Sequence, residues 1–355
     1  MPELLKFEYR RILKCKPVYF MLAAAVIMPL VAAIGLNVLF NVLGVDDFSD
    51  LEGYSAGNVK FFTWFIISYF YTRLPIFLAL FTSLFLGRDF KDGFIRNKIT
   101  AGHSRFSIYA SAMITQVSVT AALCVVYVLI GTVTMALSPM GANLNNGEML
   151  LRAFVLMLSL IGMTVLFTAL SMAINNRALV TVLTVVFVMS LGLVGTVAAN
   201  YAYSAEMVDD YIDVCEDKVD EYENDYGYAY YTVPEKKDYI NAGWYIGHTL
   251  YVTTNAGLEK ELMSNLQDSM LSATDEDEFL AYPKKITRMG FSQQIMTALF
   301  GSSNPPPLDK KDMKKIDGLI VDIDDLMLAY SVKSVIWIAI FYAGGYAIFR
   351  KKNLS

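Results

Sequence analysis

Six long apolar runs divide this chain, and they restrict its possible folds more than any other feature of the sequence. A helix rises about 1.5 Å per residue, so about 20 apolar residues cross the hydrocarbon core of a bilayer. Lipid offers backbone amides no hydrogen-bond partners, so each run must close its own bonds as a helix. The sequence therefore predicts an all-α polytopic membrane protein with six transmembrane helices. The runs are residues 17–44, 61–87, 106–137, 149–174, 178–202 and 331–349.

Charge is distributed unevenly along the chain, and this predicts its orientation. Residues 203–330 contain 25 Asp and Glu against 11 Lys and Arg, whereas the rest contains 9 acidic and 18 basic residues. Short loops rich in Lys and Arg stay in the cytoplasm, while large acidic segments can be translocated. With six spans, all the strongly basic segments fall on one side. We therefore expect a multi-pass plasma-membrane protein with both termini in the cytoplasm and residues 203–330 outside.

Four segments follow from this topology. Residues 1–16 are predicted to form an amphipathic helix lying in the membrane interface, because basic residues alternate with an apolar stripe just before the first span. Residues 17–202 contain spans one to five. Residues 203–330 form an acidic, mainly helical extracellular domain, and residues 331–355 contain span six and a basic cytoplasmic tail. The apolar stripe of the first helix is predicted to consist of Leu5, Tyr9, Ile12 and Leu13.

The extracellular segment shows three helical patterns of apolar residues. The first is expected to continue run five out of the membrane, and the third to lead into run six. Residues 226–252 are ambiguous between strand and loop, and Cys215 is expected to be an unpaired thiol in the domain core rather than an intermolecular bridge. The three patterns are Val208, Tyr211, Ile212, Cys215, Val219 and Tyr222; then Leu258, Leu262, Leu266 and Met270; then Ile316, Leu319, Ile320, Ile323, Leu326 and Met327.

The loop at residues 88–105 is the most informative polar segment. It begins where the second run ends and finishes where the third begins. Asp92-Gly93 is a turn signal, Gly102 allows a second sharp bend, and Ser104 can cap the next helix. The sequence therefore predicts a short, rigid, charged elbow held against the inner membrane surface. The alternative interpretation of these residues is a solvated, positively charged loop that contacts lipid head groups.

This loop resembles the membrane subunit of type-2 ABC exporters, a group that includes the sterol and multidrug half-transporters. In that group an acidic residue, a glycine and a basic stretch follow span two, and a Ser-Arg pair precedes span three. Two departures concern Asp89, where Glu is frequent, and Ala112 or Met113, where a Lys is common. The positions that match or lie within the expected coupling loop are Asp89, Gly93, Arg96, Lys98, Gly102, Ser104 and Arg105.

The resemblance implies a dimer with a second permease copy or a paralogue, in which each coupling loop is seated in an ABC ATPase subunit. ATP binding would close the ATPases and move the loop as a rigid body. The chain contains no G-x-x-x-x-G-K-[ST] run, so ATP and Mg are expected on the separate ATPase chain. We therefore expect no catalytic residue, cofactor or metal in this chain, and no nucleic-acid partner.

Arg73 lies within the second run, about 12 residues from each end. A guanidinium at mid-membrane costs at least about 2.5 kcal/mol and is a functional candidate by default. Alternatively, a span that starts later would let Arg73 snorkel outwards. By resemblance, spans two and five meet at the dimer axis, where Arg73 joins weaker candidates for a translocation path. These are Tyr69, Phe70, Phe77, Leu193 and Val197.

Three classes of function fit these observations. The leading one is a permease that exports an amphipathic, peptide- or lipid-like molecule with a separate ATPase. The second is a ligand-sensing or resistance membrane protein that signals through its external domain without transport. The third is a membrane-embedded enzyme, which needs clusters of intramembrane polar groups; apart from Arg73 and Gln116, few are expected in the spans.

Overall fold

The fold is taken from a computed structural model of the 355-residue chain. It describes residues 1–42, 56–136, 147–174, 176–227, 231–255, 285–287, 306, 308, 312, 315–317 and 320–352. The chain divides into two units, one made of Met1–Ser190 with Ser331–Ser355 and the other of Leu191–Tyr330. The first unit contains the loop at residues 88–105, and the second contains most of the acidic segment.

Helices make up nearly all of the described chain. The helices up to the second unit are α1 (Pro2–Ile12), α2 (Lys16–Val42), α3 (Ala56–Lys91), α4 (Phe94–Thr100), α5 (Arg105–Ala136), α6 (Gly147–Ala173) and α7 (Arg177–Asn200). The elements that follow are α8 (Ala205–Tyr226), α9 (Lys236–Tyr239), α10 (Ala242–Thr253), β1 (Lys285–Thr287), β2 (Ile320–Asp322) and α11 (Ile323–Lys351).

Several helices are long and apolar enough to cross a membrane. Within the described ranges four qualify, and a fifth is obtained if α1 and the first part of α2, which are bent by 68°, count as one span. The described chain is therefore mostly helical, as expected, and contains helices of membrane-spanning length. Six spans and an interfacial first helix stay predictions. The four segments are Arg105–Thr134, Leu150–Ala173, Ala178–Asn200 and Asp324–Lys351.

The first helix buries a side that only partly overlaps its predicted apolar stripe. α1 buries Leu4, Glu8 and Ile12, whereas Tyr9 and Leu13 of the stripe are exposed, and their contact with the membrane interface stays a prediction. These three residues are spaced i, i+4 and i+8, so they lie on one side of the helix. An acidic side chain was not expected on a buried face, and its presence there is explained by the ion pairs described below.

The spans contain more buried polar side chains than the sequence led us to expect. Thr120 and Thr164 join α5 to α6 by a hydroxyl pair 2.9 Å apart, and the Thr181 hydroxyl donates to Ser83 Oγ at 3.0 Å between α7 and α3. Thr120, Thr164, Thr168 and Thr184 also bond to the carbonyl four residues earlier in their own helix. The hydroxyl pairs between helices are a usual means of holding membrane helices together.

Close packing of the last helix depends on one of two adjacent glycines. A Cβ atom placed on Gly345 would lie 2.5 Å from Ala169 Cβ and in closer contact with the Tyr109 hydroxyl. A Cβ atom placed on Gly344 would meet nothing within 4 Å. Gly345 therefore allows α11 to approach α5 and α6 closely, as small residues do in membrane bundles.

The second unit has its own apolar core around α8. Tyr211 and Cys215 of α8 pack with Tyr239 and Trp244, and the Trp244 indole donates to the Tyr203 carbonyl at 3.1 Å. Cys215 is fully buried and forms no disulfide, so the expected core thiol is confirmed. Burial raises the pKa of this thiol to about 11.

Three expectations for this unit need correction. α8 does not continue α7, because the helix ends at Asn200 and Ser204 begins a new one by accepting the Met207 amide at 3.1 Å. Residues 226–252 include α9 and α10 rather than strand or loop alone. The third helical pattern begins too early, because Ile320–Asp322 is a strand antiparallel to Lys285–Thr287. The second pattern, Leu258 to Met270, lies outside the described residues.

We predict that Gly345→Val destabilises the protein by about 1–3 kcal/mol through overpacking, while Gly344→Val leaves stability nearly unchanged. Thermal unfolding of the detergent-solubilised protein, followed by fluorescence-detected size exclusion, measures both. Equal effects of the two substitutions would contradict the packing described for α11.

We also predict that Cys215 resists maleimide in the folded protein, because a thiol with this pKa is only about one part in 10⁴ thiolate at pH 7. Mass spectrometry before and after denaturation, in a Cys15→Ser background, measures its modification. Rapid labelling of native Cys215 would refute its place in the core.

Candidate functional site: the loop at residues 88–105 and its buried charges

The predicted loop folds into a short helix between two sharp turns. α3 ends at Lys91, and Gly93 turns the chain into α4 with φ +71°. Gly102 makes the second turn with φ +86°, a left-handed conformation that favours glycine. Ser104 Oγ then accepts the Ser107 amide at 3.1 Å at the start of α5. Both expected bends and the Ser104 cap are confirmed.

Four charged side chains from three helices form a buried cluster behind this loop. Glu8 and Arg11 come from α1, Asp89 from the end of α3, and Lys98 from α4. Arg11 binds Asp89 through both guanidinium nitrogens, with Nη1 donating to Oδ2 at 3.0 Å, and Lys98 Nζ donates to Glu8 Oε1. Weaker contacts close the set: Arg11 Nη1 lies 3.4 Å from Glu8 Oε2, and Lys98 Nζ 3.8 Å from Asp89 Oδ2.

The cluster is almost closed to solvent. The side chains of Glu8 and Asp89 are 2% exposed, that of Lys98 is 8% exposed and that of Arg11 is 18% exposed. Two acids face two bases, so the formal charges cancel. Removing one member of a buried ion pair costs about 3–5 kcal/mol, because the remaining charge loses its partner in a place where water cannot replace it. The cluster therefore fixes the positions of α1, α3 and α4 relative to one another.

Aromatic rings surround the Arg11 side of the cluster. The Arg11 guanidinium carbon lies 4.6 Å from the ring centre of Phe85 and 5.1 Å from that of Phe94. A cation over an aromatic face gains electrostatic attraction, and more so where water is excluded. Asp89 lies past the apolar run that ends at residue 87. Burial raises the pKa of its carboxyl, against the opposing effects of the Arg11 hydrogen bond and the positive charge of Lys98.

The structure divides the predicted coupling residues into three groups. Asp89 and Lys98 point inwards, into the cluster. Gly93 and Gly102 form the turns and Ser104 caps α5, while Arg105 reaches the end of α11 and donates to backbone carbonyls there. Arg96 alone of the predicted basic residues on α4 is exposed. The other exposed residues on this surface are Arg88, Lys91, Asp92, Asn97 and Thr100.

An open cavity of about 300 Å³ lies between α1 and α4, beside the cluster. Leu4 and Phe7 line it from α1, Phe94 from α4, and His103 from the following turn. We call the exposed side of the loop, which includes Lys91 and Arg96, together with this recess the loop surface; neither of those two side chains lines the recess. The loop surface offers both charge and apolar area to a binding partner.

Glu8 and Arg11 were missed by the sequence reasoning. The signal was present, because Glu8 lies between Leu4 and Ile12 at four-residue spacing and interrupts an otherwise apolar face.

Arg152 was missed by the sequence reasoning as well. It lies within the fourth apolar run, belongs to α6, and is among the largest completely buried side chains of the described chain. A lone guanidinium inside an apolar run is the pattern that could have identified it.

The structure adds less about the candidate translocation path. The side chains of Tyr69, Phe70 and Arg73 lie outside the described residues. Phe77 is half-buried, with its ring centre 6.2 Å from that of Phe20. Leu193 is 74% exposed on α7, and Val197, one turn further on, is also exposed. Their assignment to a path stays a prediction.

Comparison with known proteins adds no relative. No protein-family model, curated protein or solved structure matches this chain. In the described part of the chain, no group of three or more His, Cys, Asp or Glu is arranged to hold a metal ion. The resemblance of the loop to ABC permeases therefore rests on its own residues.

We predict that Lys98→Met destabilises the protein by about 3–5 kcal/mol, because it leaves the Glu8 carboxylate buried without its closest cation. The double variant Glu8→Gln with Lys98→Met removes both charges and should recover much of this loss. Arg96→Met is the matched control on the same helix and should change stability by less than about 0.5 kcal/mol.

Thermal unfolding midpoints in detergent, converted through a double-mutant cycle, measure the coupling between Glu8 and Lys98. If the two single substitutions and the double substitution proved simply additive, the pair would not be an interacting unit.

Proposed function

We propose that this chain is the permease subunit of an ATP-driven ABC exporter, which moves an amphipathic, peptide- or lipid-like molecule outwards using a separate ATPase chain. One observation carries the proposal: the cytoplasmic loop is a rigid helix tied by buried ion pairs to α1 and α3, with its basic face left open. That arrangement suits a coupling element that transmits movement of a partner subunit to the membrane helices.

Rigidity is the first argument. A loop that transmits movement must not deform where the partner presses on it, because packed elements pass displacement on only when they move as bodies. α4 is fixed from behind at Lys98, which binds Glu8 of α1 and lies near Asp89 of α3. A force on α4 would therefore be shared with the helix that enters the membrane at residue 87.

The distribution of the cations is the second argument. A loop that served only to attract anionic head groups would expose its Lys and Arg side chains to them. Here Lys98 is buried in ion pairs, while Lys91 and Arg96 are exposed and the same loop helps to line an apolar recess. Mixed apolar and charged surfaces are typical of protein interfaces. An acidic or neutral groove on an ATPase subunit fits the loop surface better than a lipid surface alone does.

The remaining parts of the proposal follow from the resemblance. A second copy of the chain, or a paralogue, would complete a dimer, and exposed apolar residues such as Val186 and Met189 of α7 are available to it or to lipid. ATP and Mg would be held by the ATPase chain. The acidic composition of residues 203–330 favours a cationic or amphipathic substrate at the plasma membrane.

The deciding experiment is co-purification with an ABC ATPase encoded beside this chain, followed by ATP turnover in nanodiscs. We predict that Lys91→Glu with Arg96→Glu lowers ATPase binding at least tenfold, because both side chains are exposed on the loop surface and would meet the partner with the opposite charge. Lys14→Glu, also exposed and basic, lies in the turn between α1 and α2 and should leave binding unchanged.

An ATPase that never co-purifies with the wild-type chain would refute the proposal. It would favour the alternative, a ligand-sensing or resistance membrane protein that acts through its external domain. Full ATPase binding by the charge-reversed double variant, together with normal membrane expression, would remove the loop surface as the docking site.

A further inference from the structure

The cytoplasmic end of the last helix is attached to three other helices through contacts that the loop surface does not use. Arg105, the first residue of α5, donates from Nη1 to the Arg350 carbonyl at 2.8 Å and to the Lys352 carbonyl at 2.6 Å. The last four carbonyls of any α-helix lack partners within the helix. Arg105 therefore caps the end of α11 with a positive charge, which the helix dipole also favours.

Lys352 makes the reciprocal contact. Its ammonium donates to the Met172 carbonyl at 2.8 Å, in the last turn of α6, and lies 3.9 Å from the ring centre of Phe90 at the end of α3. The first contact places a cation at the C-terminus of a helix, where the helix dipole favours it. The second places the same cation over an aromatic face. Arg105 and Lys352 together thus join the ends of α3, α5, α6 and α11, and we call this set the tail clamp.

The clamp continues into the packing of α11 on α5. Tyr109, one turn after Arg105, donates its hydroxyl to the Tyr342 carbonyl at 3.2 Å. Its ring also lies 5.7 Å from that of Tyr346 and 5.8 Å from that of Phe349. The contact between α5 and α11 is therefore aromatic over two turns and ends in charged hydrogen bonds.

Position in the chain gives the clamp a connection to the loop. Arg105 follows the Gly102 turn and the Ser104 cap, so it starts the helix into which the loop runs. Phe90 stands next to Asp89, the α3 member of the buried cluster. A displacement of the loop would therefore reach the clamp from both ends of the loop, through Phe90 and through Arg105.

We propose that Arg105 and Lys352 are positioning residues that fasten the cytoplasmic end of α11 to the two ends of the coupling loop, so that movement of the loop also moves the last span. This inference rests on the proposed function for the source of the movement. The attachment itself belongs to this chain alone, and it can be measured without any partner.

The first experiment uses the purified full-length chain in nanodiscs. Hydrogen exchange of the amides in the last two turns of α11 is compared between wild type, Arg105→Gln and Lys352→Met. Each substitution should speed this exchange about tenfold, as expected for the loss of one or two charge-assisted hydrogen bonds. Lys351→Met, adjacent but exposed, is the matched control and should exchange like wild type. Unchanged exchange in both clamp variants would overturn the attachment.

The second experiment uses the complex with the co-purified ATPase, trapped with ATP and vanadate. In the wild type, trapping should change the exchange of α4 and of the end of α11 together. In Arg105→Gln the change at α4 should persist while the change at α11 is lost, and Arg105→Lys should restore part of it. A merely structural role would not separate the two responses.

The outcomes are distinguishable. If trapping alters α4 but leaves the end of α11 unchanged in the wild type, the transmission is refuted. If it reaches the end of α11 equally in Arg105→Gln, the clamp is not the route. If no ATPase binds, the proposed function fails and the inference of transmission fails with it, while the first experiment still decides whether the clamp exists.

Discussion

Charge taken out of water needs opposite charge close by, and that requirement organises the end of the protein where α1, α3 and α4 meet. Four charged side chains there have lost most of the water that would otherwise solvate them: Glu8, Arg11, Asp89 and Lys98. Each acid has a base within hydrogen-bond reach, so the desolvation penalty is offset only when all three helices are in place. The assembly of α1, α3 and α4 is for this reason a single unit rather than three adjacent segments.

The structure separates basic residues that a count of positive charge treats alike. Arg11 and Lys98 neutralise buried acids, Arg105 and Lys352 cap helix ends, and Arg96 is exposed. Burial lowers the pKa of Lys352 to about 8, which reflects how far it has left water. The positive-inside pattern predicts the side of the membrane, but it does not assign these separate tasks.

Apolar run length and turn residues carried most of what sequence could predict. Run boundaries near residues 106, 149 and 178 lie within two residues of the starts of α5, α6 and α7, and Gly93 and Gly102 marked the turns. The burial of Glu8 on α1 was not predicted because its closest cation, Lys98, is 90 residues away. Periodicity within one helix does not reveal such a partner. The break before α8 was missed because Ser204 is an inconspicuous capping signal between two helical patterns.

The cancellation of charge within the buried cluster has an electrical consequence. Two positive and two negative groups that move as a body carry no net charge through the interfacial field, so their displacement does almost no work against the resting potential. Voltage sensors depend on the opposite design, in which unbalanced arginines are driven by that field. The buried cluster would therefore not make the proposed movement of the loop sensitive to the membrane potential.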